Sequence, residues 1–239
     1  AQVAVVNSCT VTAAAEADSR QLVHRLQRLG VPKIVLTGCW VSVPIAGEFS
    51  FPENVIIIPN TDKMDIPSLI SNEQEIRPFF EKARILLPGK AKRTRAFIKV
   101  QEGCNYCCTF CITRMARGKS VSRPLEQIIQ DVNMTLEAGV KEVILTGTQL
   151  GGWGKDLPEK QTIAYLLNSI LERTNVPQLR LSSMEPWDIQ SDFSPILKNH
   201  RFCPHLHLPL QSGSAETLKR MGRRMSAQDY RLLIQKIRA

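Results

Sequence analysis

The sequence predicts an α/β fold, because strands and helices alternate along the chain. Short runs of apolar, β-branched residues, such as those at 2–6 and 33–37, are typical of buried parallel strands. The segment between them, at 13–29, has helical periodicity and is followed by Gly30, a residue that commonly ends helices. Parallel strands need long crossover connections, so this alternation indicates a parallel sheet or barrel.

The first part of the chain contains one strand–helix–strand unit and further short elements. The strand at 2–6 leads into the helix at 13–29, which returns to the strand at 33–37. A third strand is predicted at 54–58, followed by a short helix at 62–70. A strand–helix–strand unit of this kind is right-handed by default, and its two strands are parallel.

Two cysteines follow the first two strands of this unit. Cys9 lies just beyond the carboxyl end of the first strand, and Cys39 lies just beyond that of the second. Because neighbouring parallel strands end at one edge of a sheet, we expect both thiols at the same edge. A buried cysteine is often only a small apolar residue, so packing alone is the alternative explanation.

A polar and then basic stretch at 71–95 separates this region from the remainder, and it contains two prolines and a glycine. Such a composition is typical of a linker between domains. We therefore expect an N-terminal domain at 1–75, a basic linker at 76–95 and a second domain at 96–239.

The second domain is expected to contain four strand–helix units. Its strands are predicted at 96–100, 141–146, 179–183 and 205–210. The intervening and following helices are predicted at 123–138, at 163–173 and from Ser226 to the end of the sequence given.

Four of the seven cysteines lie within eight residues, in the stretch Cys-Asn-Tyr-Cys-Cys-Thr-Phe-Cys at 104–111. Cys104, Cys108 and Cys111 have the spacing C-x3-C-x2-C. Thiolates this close can converge on one soft metal centre. A four-iron cluster normally takes four thiolates, so three would leave one iron open, which indicates catalysis rather than a structural role.

The location of this thiol loop also favours ligand binding. Residues 101–103 are predicted to turn the chain out of the strand at 96–100, so the loop follows a strand's carboxyl end. In α/β folds, ligands bind at that edge.

Other interpretations of the thiols remain open. A zinc site would need a fourth ligand, such as Cys203 or a histidine. Cys104 and Cys107 also form a C-x-x-C pair of the kind that does redox chemistry. Cys107 makes a second spacing possible, C-x2-C-x3-C.

The composition argues against a membrane-spanning protein and against a disulfide scaffold. Hydrophobic residues make up 43% of the 239, but none of their runs reaches the roughly 18 residues that a membrane helix needs. A signal peptide is not recognisable. The cysteines are clustered rather than dispersed, which indicates metal ligation in a reducing compartment, and we expect a cytoplasmic location.

The formal net charge is +9, and the basic residues are unevenly distributed. Clusters lie at 82–95, 114–123 and 219–238. Clustered positive charge is typical of nucleic-acid binders, although any single cluster could be a solubilising surface. Three clusters, two of them flanking the thiol loop, favour an RNA or DNA substrate.

The sequence resembles the radical S-adenosylmethionine (SAM) methylthiotransferases over almost its whole length. The C-x3-C-x2-C spacing, with Phe110 just before its last cysteine, is similar to the radical SAM signature. The motifs that carry the resemblance are Asn-Ser-Cys-Thr-Val-Thr at 7–12, Thr-Gly-Cys at 37–39, Val-Gln-Glu-Gly-Cys at 100–104, Leu-Thr-Gly at 145–147, Arg-Leu-Ser-Ser-Met-Glu-Pro at 180–186 and His-Leu-His-Leu-Pro-Leu-Gln-Ser-Gly-Ser at 205–214.

This resemblance implies a specific architecture. We expect an N-terminal Rossmann or flavodoxin-like domain with a parallel sheet, followed by a partial (βα) TIM-like radical SAM barrel. Relative to the family, the first domain would be truncated at its start and the barrel at its end. The RNA-binding TRAM-type β-domain of the family would be absent.

The resemblance also implies two [4Fe-4S] clusters and SAM as cofactors. Cys104, Cys108 and Cys111 would hold the cluster whose open iron binds SAM, and the reduced cluster would cleave SAM to methionine and a 5′-deoxyadenosyl radical. Cys9 and Cys39 would hold the second, auxiliary cluster, with the family's remaining ligand expected upstream of this sequence.

Further site residues follow from the resemblance and from strand positions. Arg117 and Arg123 are candidate phosphate contacts. His205 and His207 alternate along a predicted strand, so one should point inward, and a core histidine is the expectation for either. Residues expected near bound SAM are Phe110, Thr146, Gly147, Ser183, Glu185 and Gln211.

The family branch that this sequence resembles adds a methylthio group to C2 of N6-threonylcarbamoyladenosine at position 37 of tRNA. That activity implies tRNA, SAM and an electron-donor protein as partners. The alternatives are isopentenyladenosine in tRNA or ribosomal protein S12 as the substrate, or a radical SAM reaction without sulfur insertion. A non-catalytic nucleic-acid-binding module with an iron–sulfur or zinc site is a further alternative.

Overall fold

The structure, a computed structural model, describes residues 2–43, 50–70 and 94–238. The chain divides into two compact units: the first comprises Ala1–Arg84 and Cys111–Gly118, and the second comprises Ile85–Phe110 and Lys119–Ala239. All but the last two residues of the linker predicted at 76–95 lie outside the described residues, so that expectation stays a prediction.

The first unit contains a three-stranded parallel sheet. Its strands, in spatial order, are β1 (Val3–Ser8), β2 (Lys33–Gly38) and β3 (Val55–Ile58). The predicted strand–helix–strand unit is confirmed, because helix α1 (Ala13–Arg28) connects β1 to β2. The hydroxyl of Thr12 accepts a hydrogen bond from the backbone N–H of Ala15 at 3.2 Å and so caps the first turn of α1.

The helix predicted at 62–70 is only partly α-helical. A 3₁₀ turn spans Asn60–Asp65, and helix α2 spans Ile66–Ile70. Pro67 explains the division, because proline lacks an N–H and is tolerated in the first turn of an α-helix but not in its interior. Another short helix in the described part of this unit, α3 (Thr113–Arg117), follows the thiol loop.

The second unit contains a four-stranded sheet in the order β5-β4-β6-β7. The strands β4, β6 and β7 are parallel, and the short β5 is antiparallel to β4. The core between the sheet and its helices is completely buried at Val100, Leu145, Leu167 and Leu179. The strands span Arg95–Glu102 (β4), Val121–Ser122 (β5), Glu142–Gly147 (β6) and Gln178–Leu181 (β7).

Helices follow the strands of this unit, which confirms the predicted α/β class. None of the helices in the described ranges combines the length and the apolar character needed to span a bilayer. The helices of this unit are α4 (Leu125–Glu137), α5 (Ile163–Arg173), α6 (Ser194–Leu197), α7 (Ala215–Arg220) and α8 (Ala227–Arg238).

The turn predicted at 101–103 is wrong for its first two residues. Gln101 and Glu102 belong to β4 and pair with Ser122 and Val121 of β5. The chain turns at Gly103, whose φ of 74° is favourable only for glycine. Pairing with β5, which the sequence analysis did not predict, extends β4 by satisfying the backbone groups of its last two residues.

The fourth strand, predicted at 205–210, is also wrong as a continuous strand. Among the described residues, this region makes isolated parallel bridges, from Phe202 to Leu179 and from His207 to Ser183. Pro204 and Pro209 account for the interruption, because a proline cannot donate to a strand ladder. The described part of the second unit therefore has three parallel strands instead of the four predicted.

Candidate metal centre

The thiol loop begins at the carboxyl end of β4, as the sequence predicts. Cys104 lies two residues after Glu102, the last residue of β4. Cys104 and Cys108 are half-buried, and Cys107 is exposed. All seven cysteines lie in the described residues, and none of them forms a disulfide. The loop therefore presents several thiols at the sheet edge where α/β proteins bind ligands.

A network of buried amide groups fixes the start of this loop. The Nε2 of Gln101 donates to the carbonyls of the next two residues, each at 2.8 Å, and to Ser120 Oγ at 2.9 Å. Its Oε1 accepts from the backbone N–H of Gln149 at 2.7 Å. The Oε1 of Gln149 in turn accepts from the backbone N–H of Asn105 at 2.8 Å. Sequence reasoning missed the roles of both glutamines. The signal was a glutamine near the end of an apolar strand for Gln101, and a glutamine two residues after a strand for Gln149.

The far side of the loop is held by the last residue of α7 and by the residues that follow it. The backbone N–H of Thr109 donates to the carbonyl of Met221 at 3.2 Å, and its Oγ1 donates to the carbonyl of Arg220 at 2.8 Å. Gly222 has a φ of 68°, and a Cβ there would lie 3.3 Å from the carbonyl oxygen of Cys107. The two segments are therefore in contact along their backbones.

Arg223 contacts both a carboxylate and a thiol of the proposed ligand set. Its guanidinium makes two hydrogen bonds to Glu185, at 3.0 and 2.5 Å, and one to the carbonyl of Pro209 at 2.9 Å. It also lies 4.4 Å from the ring centre of Trp187. Burial alone would lower the pKa of Arg223, but the hydrogen bonds that it donates to Glu185, the charge of Glu185 and the interaction with Cys108 together raise it.

Two consequences follow from this arrangement. Glu185, which was expected near SAM, is engaged by Arg223, whose side chain is only 2% exposed. A guanidinium beside the sulfur of Cys108 also complements the negative charge of a metal-bound thiolate. Sequence reasoning missed Arg223, since one arginine in a basic helical region gives no distinguishing signal.

Tyr106 anchors the middle of the loop to the segment after β7. Its hydroxyl donates to the carboxylate of Asp188, with distances of 2.9 and 3.0 Å to the two oxygens, and Lys155 pairs with the same carboxylate at 3.2 Å. Its ring packs edge-on against Trp187, with centres 5.5 Å apart, and Arg224 lies 4.5 Å from its centre. Burial, and then the charge of Asp188, raise the pKa of Tyr106 to about 12.

The other residues expected near SAM have diverse surroundings. Phe110 is 52% exposed in the thiol loop. Thr146 and Gly147 end β6, and a Cβ on Gly147 would lie 3.0 Å from the Oε1 of Gln101. Gln211 has a φ of 74°, in the left-handed region. Their contact with SAM stays a prediction.

Ser183 forms a pair with His207 on the neighbouring segment. The Oγ of Ser183 lies 2.6 Å from the Nδ1 of His207, and both side chains are exposed. His205 is exposed as well. The expectation of a core histidine at 205 or 207 is therefore wrong. This segment pairs with the sheet only at isolated bridges and does not form a continuous strand of it.

The two arginines proposed as phosphate contacts differ in their environments. Arg117 is exposed at the end of α3. Arg123 is partly buried, and its guanidinium bonds to Asp131 at 2.7 Å and to the carbonyl of Lys99 at 2.8 Å. A phosphate would therefore have to compete with internal partners at Arg123.

In the first unit, Cys9 and Cys39 follow paired positions of β1 and β2, as expected. The register aligns Ser8 with Gly38, and the backbone N–H of Cys39 donates to the carbonyl of Ser8 at 3.0 Å. Gly38 has a φ of 106°, and a Cβ there would lie only 2.2 Å from that carbonyl oxygen, so no larger residue fits. Cys9 is half-buried and Cys39 is 5% exposed. Both thiols lie at the same sheet edge.

The donor chemistry of these cysteines fits iron–sulfur clusters. Within the described ranges, no three His, Cys, Asp or Glu side chains form a group that could hold a single metal ion. A four-iron cluster has a different requirement, because each thiolate binds a different iron. Soft sulfur donors that are not in disulfides, at 104, 108 and 111 and as a second pair at 9 and 39, suit such clusters. Cys111 is exposed and is the first residue of the segment Cys111–Gly118 of the first unit.

Curated relatives share nearly the whole of this sequence. Threonylcarbamoyladenosine tRNA methylthiotransferase MtaB of Thermotoga maritima is 33% identical over 98% of this chain and 56% of its own length. The protein of the same name from Bacillus subtilis is 35% identical over 96% of this chain and 54% of its own length. The chain thus spans about half the length of the curated relatives it matches.

Solved structures of radical SAM enzymes share the fold. A radical S-adenosylmethionine methyltransferase, TsrM, from Kitasatospora setae with cobalamin and a [4Fe-4S] cluster bound has a TM-score of 0.62 and 17% identity, over 99% of this chain and 56% of that one. The cobalamin-dependent S-adenosylmethionine radical enzyme OxsB has a TM-score of 0.61 and 13% identity, over 98% of this chain and 38% of that one. The expected fold, a parallel α/β sheet and part of a TIM-like barrel, is confirmed.

Family models match both parts of the chain. Residues 1–54 match the model described as uncharacterized protein family UPF0004. Residues 98–239 match the radical SAM superfamily model, and they include the thiol loop, most of β4, and the strands β6 and β7. Because this match spans more than half of the chain, the chain belongs to the radical SAM superfamily.

Proposed function

We propose that the chain is the catalytic part of a radical SAM methylthiotransferase that modifies tRNA. The observation that carries this proposal is the similarity, over 96–98% of the chain, to two relatives named threonylcarbamoyladenosine tRNA methylthiotransferase. The cluster of thiols that follows the carboxyl end of β4 supports it, because ligands bind at that edge of α/β sheets.

The proposed substrate is N6-threonylcarbamoyladenosine at position 37 of tRNA, with the methylthio group added at C2. This carbon carries a hydrogen that is not acidic, so acid–base chemistry alone cannot replace it, and a radical cofactor is needed. A net charge of +9 suits a polyanionic partner such as tRNA.

The proposed cofactors are SAM and two [4Fe-4S] clusters. Cys104, Cys108 and Cys111 would hold one cluster, and Cys9 and Cys39 would contribute to the other. The first cluster, once bound and reduced by an electron-donor protein, would supply the electron that cleaves SAM to methionine and a 5′-deoxyadenosyl radical.

The residues of the chain itself would orient these groups. The network of Gln101 and Gln149 holds the start of the loop at the end of β4, and Arg223 would provide a positive charge beside the sulfur of Cys108. The ring of Tyr106, which belongs to the loop, packs against Trp187, and the two rings would keep water from that side of the loop. The proposed SAM contacts are Phe110, Thr146, Gly147, Ser183, Glu185 and Gln211.

The substrate is tested with the full-length protein, reconstituted with iron and sulfide without oxygen and supplied with SAM and a reductant. Three substrates are compared: tRNA carrying threonylcarbamoyladenosine, tRNA carrying isopentenyladenosine, and ribosomal protein S12. Mass spectrometry of the nucleosides and of the protein should show the methylthio group only in the first. Modification of either other substrate would contradict the proposed specificity, and SAM cleavage without sulfur transfer to any of them would contradict the proposed reaction class.

A further inference from the structure

The turn after β3 forms a third element at the sheet edge where Cys9 and Cys39 lie. The strands β1, β2 and β3 are parallel neighbours, so the segments that follow them leave the sheet at one edge. The segments after β1 and β2 carry the two cysteines. The segment after β3 is the 3₁₀ turn Asn60–Asp65.

Asn60, the first residue of this turn, reaches Cys39 with its side-chain amide. The Nδ2 of Asn60 lies 3.7 Å from the Sγ of Cys39, within the range of an N–H···S hydrogen bond. The same Nδ2 donates to the carbonyl oxygen of Ala116 at 2.8 Å. An amide nitrogen has two N–H groups, so one can serve each acceptor.

The backbone of Asn60 is fixed independently of these contacts. Its N–H donates to the Oγ of Ser42 at 2.9 Å, and that hydroxyl donates to the carbonyl of Gly38 at 2.8 Å. Gly38 immediately precedes Cys39 in the chain. Asn60 is therefore held against the cysteine-bearing segment by its own main chain, which leaves its side chain pre-oriented toward the sulfur.

The surroundings of Cys39 are otherwise apolar. Its side chain is 5% exposed and packs in a cluster with Val43, Ala116 and Ile112. A hydrogen bond in such surroundings is stronger than one in water, because the effective dielectric constant is low. The contact with Asn60 should therefore have a measurable effect on the sulfur.

A second residue of the same turn contacts the segment that carries the other cysteine. The Nζ of Lys63 donates to the Oδ1 of Asn7, two residues before Cys9, at 2.7 Å. Asn60 and Lys63 thus connect one short turn to both cysteine-bearing segments.

We propose that Asn60 is a positioning residue that holds the sulfur of Cys39 through an N–H···S hydrogen bond. Its second hydrogen bond, to Ala116, joins this sulfur to the segment Cys111–Gly118, whose first residue is a proposed ligand of the SAM-cleaving cluster. The role of Cys39 as an auxiliary-cluster ligand rests on the proposed function. Hydrogen bonds to ligand sulfurs tune cluster reduction potentials, and a donor raises the potential by stabilising the more negative, reduced state.

The first test measures the reactivity of the Cys39 sulfur in the metal-free protein, so that its result does not depend on the proposed function. Asn60→Leu removes the donor at similar volume. Asn54→Leu is the matched control. Asn54 immediately precedes β3, at the opposite edge of the sheet from Cys39, and its Nδ2 donates to the carbonyl of Val31 at 3.0 Å. This variant therefore also removes one side-chain amide donor, but one that is remote from Cys39. Alkylation of Cys39, followed by peptide mass spectrometry, should become a few-fold slower in Asn60→Leu than in Asn54→Leu at matched thermal stability, because the thiolate is the nucleophile and a donated N–H stabilises it. Equal or faster alkylation in Asn60→Leu would overturn the hydrogen bond.

The second test measures the auxiliary cluster alone, in full-length protein in which Cys104, Cys108 and Cys111 are replaced by alanine. A redox titration followed by electron paramagnetic resonance should give a more negative midpoint potential for Asn60→Leu than for Asn54→Leu. An unchanged potential would overturn the proposed tuning and leave Asn60 a structural residue. Failure of all variants to bind a cluster would contradict the proposed function. The alkylation result would still show whether Asn60 forms the hydrogen bond with Cys39.

Discussion

At the scale of single residues, the candidate metal centre depends on polar side chains that are buried yet fully engaged. Gln101 is 1% exposed, and both ends of its amide form hydrogen bonds around the start of the thiol loop. Leaving such a group without partners costs about 1–3 kcal/mol, so the loop geometry and the amide network stabilise each other. This coupling restrains the first cysteine without any covalent link.

Among the residues around the thiol loop, replacing Arg223 should lower the free energy of unfolding most. Replacing it with methionine keeps the apolar contact with Trp187 but leaves the carboxylate of Glu185 without its bidentate partner. Because Glu185 retains some exposure, we expect a loss of about 3 kcal/mol in the free energy of unfolding, the low end for a buried pair. Urea denaturation measures this loss.

The matched control for this change is Arg224→Met. Arg224 neighbours it in sequence and stacks on Tyr106, but it is exposed. Its replacement should change the free energy of unfolding by less than about 1 kcal/mol. Comparable losses in the two variants would show that the ion pair with Glu185 is not the dominant contribution.

At the scale of secondary-structure elements, an ionic cluster joins the three parallel strands of the second unit. Glu142 of β6 pairs with Arg95 of β4 at 2.7 Å and with Arg180 of β7. The hydrogen bond from Arg180, and to a smaller extent the charges of both arginines, lower the pKa of Glu142 despite the opposing effect of its desolvation. The cluster therefore stabilises the order β4-β6-β7 as long as Glu142 is ionised.

The lowered pKa predicts an acid-dependent contribution to stability. Because the folded protein holds the pKa of Glu142 below the unfolded value of about 4.5, its contribution is complete above that pH and is lost as the pH falls through the folded pKa. Glu142→Gln should therefore lower the melting temperature near neutral pH, and the difference from the parent should shrink in acid.

Glu126→Gln is the control for this pH dependence. Glu126 has a similar bidentate partner in Arg173, but the pair is exposed between α4 and α5. Solvent screens such pairs, so this variant should change the melting temperature much less. Equal, pH-independent shifts in both variants would contradict the role assigned to Glu142.

At the scale of the whole molecule, the sequence was informative where periodicity and strand polarity decide the outcome. The alternation of apolar runs predicted both parallel sheets, and the parallel arrangement of the first two strands placed Cys9 and Cys39 at one edge. The sequence did not predict features that depend on pairing between residues far apart in the chain. The register of β5 against β4 and the bridges near Pro204 and Pro209 depend on tertiary contacts that local pattern does not encode.

The contacts around the thiol loop illustrate the same limit. Arg223 lies 38 residues from Glu185 in sequence, and Gln149 lies 44 residues from Asn105. The sequence shows that such residues are polar or charged, but it does not show which partner each will bury. The cysteine spacing could be recognised because its ligands lie within one short loop.

The central claim is that Cys104, Cys108 and Cys111 hold the cluster that cleaves SAM. The most direct measurement is the yield of 5′-deoxyadenosine from full-length protein reconstituted without oxygen and supplied with SAM and dithionite. Cys107→Ala is the matched control for Cys108→Ala, because the two thiols are adjacent. We expect production to be abolished by Cys108→Ala and retained by Cys107→Ala; retention in Cys108→Ala, or no product from parent protein with a fully loaded cluster, would contradict the claim.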